Sequence, residues 1–235
     1  MDAPLPLGRE LKRMATHGLS PASEALRNDL VALAHRYHAA GWMLGTSGNL
    51  SARFEGPDGP AFVITASGLD KGALSLQDFV EVNLDGVMIG RGDNRKPSAE
   101  TSIHTAAYNA LPAANAVLHV HSVASTELGR RHGTEAPIHL ADLEMLKGWG
   151  MWTPGAQAEL PVFENHAEVP RIATELADWL TKTRREAESV APAPAMLIAG
   201  HGLTAWGASL DEAHRHVEIT EFMCRVGLAR LPAAL

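Results

Sequence analysis

Two histidines separated by one residue, His119 and His121, lie at the end of a short apolar run that begins at Ala116. The run is aliphatic and partly β-branched, which predicts a buried strand. Side chains alternate between the faces of a strand, so both imidazoles are expected on one face, with Leu118 and Val120 on the other. Two imidazoles on one face make half of a metal site, and Zn²⁺ accepts nitrogen ligands well. Two hydrogen-bonded histidines in a polar cleft are the alternative.

The composition is that of a globular protein and argues against several classes. The chain has 235 residues, 46% of them hydrophobic and 20% charged, which suffices for a single domain over residues 1–235. A net charge of −7 argues against a nucleic-acid partner. No stretch has the length of a membrane span, and residues 1–10 do not read as a signal peptide. The single cysteine, Cys224, cannot form an intrachain disulfide, so a cytoplasmic location is expected.

The remaining pattern alternates helices with a meander of short strands. Alternating apolar residues and turn signals predict hairpins over residues 50–64 and 80–89, and a further buried strand over 195–199. Helices are predicted from their periodicity or caps after Ser20, Ser98, Ser122 and Ser209 and along residues 169–180, and Ser75 is expected to cap a short one. We therefore expect an α/β fold, a single three-layer α/β/α domain with a mainly antiparallel central sheet.

Two polar segments near strand ends have residue types that bind anions. The segment Gly-Thr-Ser-Gly-Asn-Leu-Ser offers Thr46 and Asn49 as donors, and its glycines allow a ligand to approach the backbone closely. Ser67 and Gly68 follow a predicted strand, with Lys71 close behind. Taken singly, each segment is better explained as a turn with polar filler.

Two further segments could complete a metal site. Glu100 lies near the start of a predicted helix, where the dipole stabilises a carboxylate, so a structural role would suffice. The functional alternative makes Glu100 a metal ligand or an acid/base, with Ser98 as a phosphate donor at the same helix start. His201 stands between two glycines after a predicted strand, a position that packing explains poorly. With His119 and His121 it would give three imidazoles and an open position, as in catalytic zinc sites.

These segments, in this order, resemble the class II aldolase/adducin family. The matched pieces extend from residue 45 to residue 207 and read GTSGNLS, TASG, PSAE, HVHS and GHGLTAWG. The resemblance implies a class II aldolase-like fold, one Zn²⁺ per subunit held by His119, His121 and His201, and Glu100 beside the metal. It also implies a sugar-phosphate substrate and a homotetramer with sites at subunit interfaces. The positions matched to phosphate binding, with Thr46 added as a donor of the same loop, are Thr46, Asn49, Ser67, Gly68 and Ser98.

Within the family, residues 143–148, which read LEMLKG, resemble the acid/base segment of the dehydratases of methionine salvage. The resemblance implies that Glu144 is the acid/base. It implies zinc-dependent dehydration of 5-methylthioribulose 1-phosphate to 2,3-diketo-5-methylthiopentyl 1-phosphate through a metal-stabilised enediolate. From the residues alone, Glu144 and Lys147 could instead be an exposed i, i+3 pair.

Two departures from the family pattern keep alternatives open. Thr204 stands where relatives often carry an aromatic residue, and Glu100 is present where some dehydratases have lost the acid. A zinc-dependent aldolase or epimerase for another sugar phosphate is therefore one alternative. A non-catalytic, adducin-like interaction domain is the other.

Overall fold

The computed structural model describes residues 21–56, 58–89, 95–186 and 190–231. Its α-helices are α1 (Pro21–Ala39), α2 (Thr101–Ala110), α3 (Val123–His132), α4 (Val169–Glu186) and α5 (Leu210–Arg230), and a 3₁₀ helix spans Glu144–Trp149. Its strands are β1 (Asn49–Gly56), β2 (Gly59–Thr65), β3 (Phe79–Asn83), β4 (Met88–Ile89), β5 (Ala116–Val120), β6 (Ile138–Ala141), β7 (Gln157–Leu160), β8 (Val162–Phe163), β9 (Ala191–Pro192), β10 (Ala195–Ile198) and β11 (Gly202–Gly207).

Eight of these strands form the main sheet, in the order β4-β3-β2-β1-β5-β11-β10-β8. Every neighbouring pair in it is antiparallel except β10 and β8, which are parallel. The other three described strands form a second, smaller sheet in the order β6-β7-β9. The predicted α/β class with a mainly antiparallel central sheet is confirmed.

Helices cover both faces of the main sheet because its strands are apolar on both faces. Leu118 and Val120 of β5 belong to a buried cluster that includes residues of α1, α3 and α5. Val117, which points to the opposite face of β5, belongs to a second buried cluster with residues of α2 and α4. Together the sheet and the two sets of helices make the three expected layers. None of the helices in the described ranges combines the length and the apolar character that a membrane crossing requires.

Several local predictions are confirmed. Ser209 caps α5 by accepting a hydrogen bond from the Glu212 amide, and Ser122 caps α3 in the same way. The first hairpin closes with Gly56 opposite Gly59, and the second pairs β3 with β4 across the predicted turn. The cap predicted at Ser20 lies outside the described residues.

Two predicted helix starts are wrong. At Ser75, the Asp78 carboxylate accepts hydrogen bonds from both the amide and the hydroxyl, at 2.8 and 2.7 Å, and this closes a turn instead of starting a helix. Helix α2 begins at Thr101, with Glu100 and not Ser98 at its N-cap. The reason is a preceding turn, in which the amide and hydroxyl of Thr101 donate to the Ser98 carbonyl at 3.1 and 2.7 Å.

The backbones of the central strands approach closely where β5 ends. A Cβ atom at Gly202 would clash with the carbonyl oxygen of Val120, and one at Gly48 would lie 2.9 Å from the carbonyl oxygen of His119. Only glycine fits at these positions, because the blocking atoms belong to the backbone and cannot rotate away. This approach brings the turn before β11 and the loop before β1 next to His119 and His121, at the end of β5.

Candidate active site

Four side chains converge near the end of β5. Glu100, His119, His121 and His201 each offer one ligand atom, and these four atoms lie within 4.8 Å of one another. The Nε2 atom of His121 is 2.9 Å from that of His119 and 3.0 Å from that of His201. The carboxylate oxygens of Glu100 lie 3.1 Å from His119 Nε2 and 3.0 Å from His201 Nε2. The structure thus brings together the three histidines and the glutamate that the sequence singled out.

The cluster is assembled by strand register as well as by loops. Asn49 of β1 and Thr204 of β11 both stand opposite His119 of β5, so these three residues form one row across the sheet. His121 follows the end of β5, and its amide donates to the Trp42 carbonyl at 2.8 Å. The row lies on the face that α2 covers, which explains why Glu100, at the start of α2, reaches it.

His119 and His121 are in the protonation state that a metal ligand requires. Burial lowers the pKa of His119 to about 4, although the charge of Glu100 opposes this, and burial with the two neighbouring histidines lowers the pKa of His121 to about 3. Both rings are therefore neutral at pH 7. The Thr204 hydroxyl lies 2.9 Å from His119 Nδ1, and the Leu203 carbonyl also accepts from this ring. With the ring proton on Nδ1, where the Thr204 oxygen can accept it, the Nε2 lone pair faces the cluster.

The Glu100 carboxylate contacts the histidine cluster and does not cap its own helix. It occupies the N-cap of α2, yet its side chain makes no cap hydrogen bond. Burial opposes its ionisation, but His119, His201 and Asn49 outweigh burial and hold the pKa of this carboxyl well below its usual range. Neutral imidazoles with one carboxylate are a donor set that Zn²⁺ and related divalent cations accept. The residues therefore fit a metal ion, and the purely structural role at the helix start is not needed.

The loops predicted to bind phosphate lie side by side. The Ser67 amide donates to the Lys96 carbonyl at 2.9 Å, next to a bridge between Ala66 and Pro97. The loop of Ser67 and Gly68 is therefore adjacent to the segment that carries Ser98. Ser67 and Gly68 are both exposed, so their polar groups can reach a ligand.

Lys71 is hydrogen-bonded to the backbone of two of these loops. Its ammonium group donates to the carbonyl oxygens of Thr46 at 3.0 Å and Leu69 at 2.9 Å. The side chain is almost fully buried, and burial lowers its pKa while Asp70 and Glu100 oppose that shift. Thr46 itself is exposed on the loop that Lys71 holds. The buried ammonium group therefore lies behind two loops whose exposed groups can donate hydrogen bonds.

Asn49 has a different neighbourhood from the other predicted phosphate residues. It is 3% exposed, and its Nδ2 donates to Glu100 Oε2 at 2.6 Å. Its Oδ1 faces His104, a buried residue of α2 that sequence reasoning missed. The available signal was spacing, because His104 follows Glu100 by four residues and so lies on the same side of the helix.

Glu144 is in a separate environment. It begins the 3₁₀ helix, its side chain is 81% exposed, and its carboxylate pairs with Lys147 Nζ at 2.5 Å. It lines a cavity of about 560 Å³ together with Met151 and Trp152, and the residues of the metal cluster are not among those lining it. Within one chain the structure shows the exposed i, i+3 pair and does not bring Glu144 to the cluster.

The chain matches known proteins over most of its length. A model of the class II aldolase and adducin N-terminal domain matches residues 28–228. The chain belongs to this family. The methylthioribulose-1-phosphate dehydratase of Microcystis aeruginosa is 45% identical over 201 residues, which cover 85% of this chain and 93% of the relative.

Solved structures of class II aldolase relatives share the fold. YgbL of Escherichia coli gives a TM-score of 0.71 at 28% identity, with 91% of this chain and 93% of that chain covered. The L-fuculose-1-phosphate aldolase of Thermus thermophilus gives 0.64 at 25% identity, with 89% and 98% covered. The class II aldolase-like fold expected from the sequence is confirmed.

Proposed function

We propose that this class II aldolase family member is a zinc-dependent methylthioribulose-1-phosphate dehydratase, a hydro-lyase of methionine salvage. The observation that carries a catalytic role is the convergence of three imidazoles and one carboxylate within 4.8 Å. The choice of substrate rests on the 45% identity to the Microcystis aeruginosa dehydratase over most of both chains. The reaction removes water from 5-methylthioribulose 1-phosphate and yields 2,3-diketo-5-methylthiopentyl 1-phosphate.

His119, His121 and His201 are the proposed ligands of one Zn²⁺ per subunit, with Glu100 as a fourth ligand or as an acid/base. When bound, a divalent cation supplies Lewis-acid stabilisation of the negative charge that develops on substrate oxygens. The chain would contribute through the Thr204 oxygen, which can accept the Nδ1 proton of His119 and so leave Nε2 free, and through the contacts that keep Glu100 ionised. Charge held in place before the reaction needs no reorganisation during it, which is the usual source of large rate effects.

The proposed phosphate site uses donors from three loops: Thr46, Asn49, Ser67, Gly68 and Ser98. It is supported by the adjacency of the loops and by the Lys71 ammonium behind two of them. Exposed backbone amides and hydroxyls backed by a cation suit a phosphate group. Asn49 gives one amide N–H to Glu100, so its second N–H is the one that a phosphate would use.

Glu144 is the proposed proton carrier, which would protonate the departing C4 hydroxyl. Its exposure leaves the carboxyl able to approach a substrate once the Lys147 contact is released. The apolar side chains of Met151 and Trp152 in the same cavity suit a methylthio group, since thioether and aromatic contacts are mildly favourable. A homotetramer, a cytoplasmic location and a single domain over residues 1–235 stay predictions.

The deciding assay gives the Zn²⁺-loaded protein 5-methylthioribulose 1-phosphate and identifies the product by mass spectrometry. We expect the diketone with a loss of one water and no aldehyde fragment. An aldehyde fragment would establish the aldolase alternative, and an isomer of unchanged mass would establish the epimerase. Absence of any turnover together with absence of stoichiometric metal would leave the interaction domain as the function.

A further inference from the structure

Behind Glu100 lies a buried histidine that the proposed chemistry does not use. His104 is fully buried on α2, one helical turn beyond Glu100. Its Nε2 lies 2.5 Å from Asn49 Oδ1, and its Nδ1 lies 2.7 Å from Ser51 Oγ. Ser51 Oγ is in turn 2.7 Å from the phenol oxygen of Tyr108. We call Asn49, His104, Ser51 and Tyr108 the buried relay.

The direction of these hydrogen bonds is determined at the end next to Glu100. An ionised carboxylate can only accept, so Asn49 donates to it through Nδ2. The other end of the same amide is then an acceptor, and His104 must carry its proton on Nε2. Burial lowers the pKa of His104 to about 3, so the ring is neutral and its Nδ1 accepts from a hydroxyl.

The same reasoning orders the far end of the buried relay. Ser51 donates to His104 Nδ1, because that nitrogen carries no proton and can only accept. Its oxygen is then free to accept from the Tyr108 hydroxyl. Each donor in the series therefore points toward Glu100, and hydrogen bonds aligned in this way strengthen one another.

All four members of the buried relay are shielded from bulk water. Ser51 and His104 are 0% exposed, Tyr108 is 1% exposed and Asn49 is 3% exposed. The orientation of the Asn49 amide thus depends on the donor that His104 presents. Without that donor the amide is free to turn its oxygen toward the Glu100 carboxylate, which would repel it.

We propose that His104 is a positioning residue that fixes the Asn49 amide and, through it, the orientation of the Glu100 carboxylate beside the three imidazoles of the metal cluster. The relay acts on metal binding whatever the substrate is. Only its effect on turnover rests on the proposed dehydratase function.

The test uses Co²⁺ as the probe, because its visible absorption reports the ligand arrangement. His104→Asn removes the donor at the Nε2 position, whereas His104→Gln places an amide N–H near that position. Ile103→Ala is the matched control, since Ile103 lies on the same helix, is 1% exposed and belongs to the apolar core beside α2. Each variant is titrated with Co²⁺, its spectrum is recorded, and its Tm is measured.

We expect His104→Asn to weaken Co²⁺ binding by at least about tenfold, as for other residues that orient metal ligands, and to change the absorption bands. His104→Gln is expected to restore binding to within about threefold of the original chain, because the donor is restored. Ile103→Ala should lower Tm and leave the Co²⁺ affinity and spectrum unchanged. If the dehydratase function holds, His104→Asn also lowers kcat/KM, because Asn49 is both the partner of Glu100 and a proposed phosphate donor.

A folded His104→Asn protein with unchanged Co²⁺ affinity and spectrum would overturn the proposal. Equal losses of affinity in His104→Asn and Ile103→Ala would also overturn it, since stability alone would then explain both. Should His104→Asn not fold, Ser51→Ala takes its place with the same readouts, and an unchanged Co²⁺ spectrum there counts against the relay. If the unaltered chain binds Co²⁺ but does not dehydrate the substrate, the proposed function fails while the Co²⁺ results still decide the relay.

Discussion

The metal cluster and the segment that carries Glu144 are built in opposite ways. Around Glu100, side chains from β1, β5, β11 and α2 are buried and hold one another by hydrogen bonds. Glu144 stands on a short 3₁₀ helix with most of its side chain in solvent, and its partner is an accessible lysine. The groups proposed to bind an ion are thus held in place before binding, whereas the carboxylate of Glu144, the proposed proton carrier, is free to move.

The backbone under Glu144 is nevertheless anchored. Leu146 and Trp149 of the same 3₁₀ helix are buried, and Arg215 of α5 donates to the Gly148 carbonyl at 3.1 Å. Asp142, just before this helix, has a positive φ of 57°, which is unusual for a residue other than glycine. Freedom in this region therefore belongs to the Glu144 side chain and not to the whole segment.

The largest effect is expected from a substitution within the buried cluster of Glu100 and the three histidines. His201→Ala removes one of three imidazoles, and we expect Zn²⁺ affinity to fall by more than about 100-fold, beyond the usual effect of a residue that only orients a ligand. Turnover should become undetectable. Metal analysis after dialysis measures the outcome, and a retained stoichiometry of one Zn²⁺ per chain would contradict the three-histidine assignment.

The next largest effect is expected at Glu144, whose side chain is exposed. Glu144→Gln should keep Zn²⁺ bound but lower kcat by roughly 10²–10⁴-fold, the usual contribution of a positioned acid/base. Glu127→Gln is the matched control, because Glu127 is also an accessible glutamate paired with a residue three positions later. Steady-state kinetics and metal content are measured for both, and a near-normal kcat for Glu144→Gln would remove this residue from the mechanism.

A smaller effect tests how firmly the cluster is held. Thr204→Val keeps the shape of the side chain and removes the hydroxyl next to His119, so Zn²⁺ affinity should fall by about tenfold. Thr220→Val is the control, since it removes a buried hydroxyl that donates to the His216 carbonyl of its own helix. Competition with a chelating dye gives both affinities. Equal values for the two variants would mean that the Thr204 contact does not orient the ring.

The smallest effect is expected in the phosphate loops. Lys71→Met removes the ammonium that donates to the Thr46 and Leu69 carbonyls, and KM for the phosphorylated substrate should rise by about fivefold, which corresponds to a loss of about 1 kcal/mol. The Zn²⁺ content should be unchanged. Lys182→Met, at an exposed position of α4, is the control. The protection that inorganic phosphate gives against thermal unfolding provides a second measurement, and its survival in Lys71→Met would argue against the loops as the phosphate site.

The convergence of the three histidines was predictable because their signals are local. A strand fixes the relative side of His119 and His121, and glycines on both sides of His201 indicate an exposed turn next to a strand. The class II aldolase resemblance then tied these pieces to a fold that the structure confirms. Glu100 was also predictable as a candidate. The sequence could not decide between a structural role at the start of its helix and a role beside the histidines, because that depends on the direction of its carboxylate.

The contacts that brace the site could not be predicted from sequence. Asn49 and His104 are 55 residues apart and meet only because β1 pairs with β5 under α2. The start of α2 was misplaced because Thr101 closes a turn onto Ser98, a competition between nearby donors that periodicity does not reveal. For Glu144 the residue pattern allowed two interpretations, and the structure shows the ion pair with Lys147.

The row of Asn49, His119 and Thr204 has a consequence for how the chain folds. A slip of one residue between β1 and β5, or between β5 and β11, would turn one member of the row to the opposite face of the sheet. A chain that is misaligned there would lose its hold on the metal ion while keeping most of its buried surface. A bound divalent cation would therefore favour the correct alignment of the three strands over near misses, because only the correct register brings its proposed ligands together.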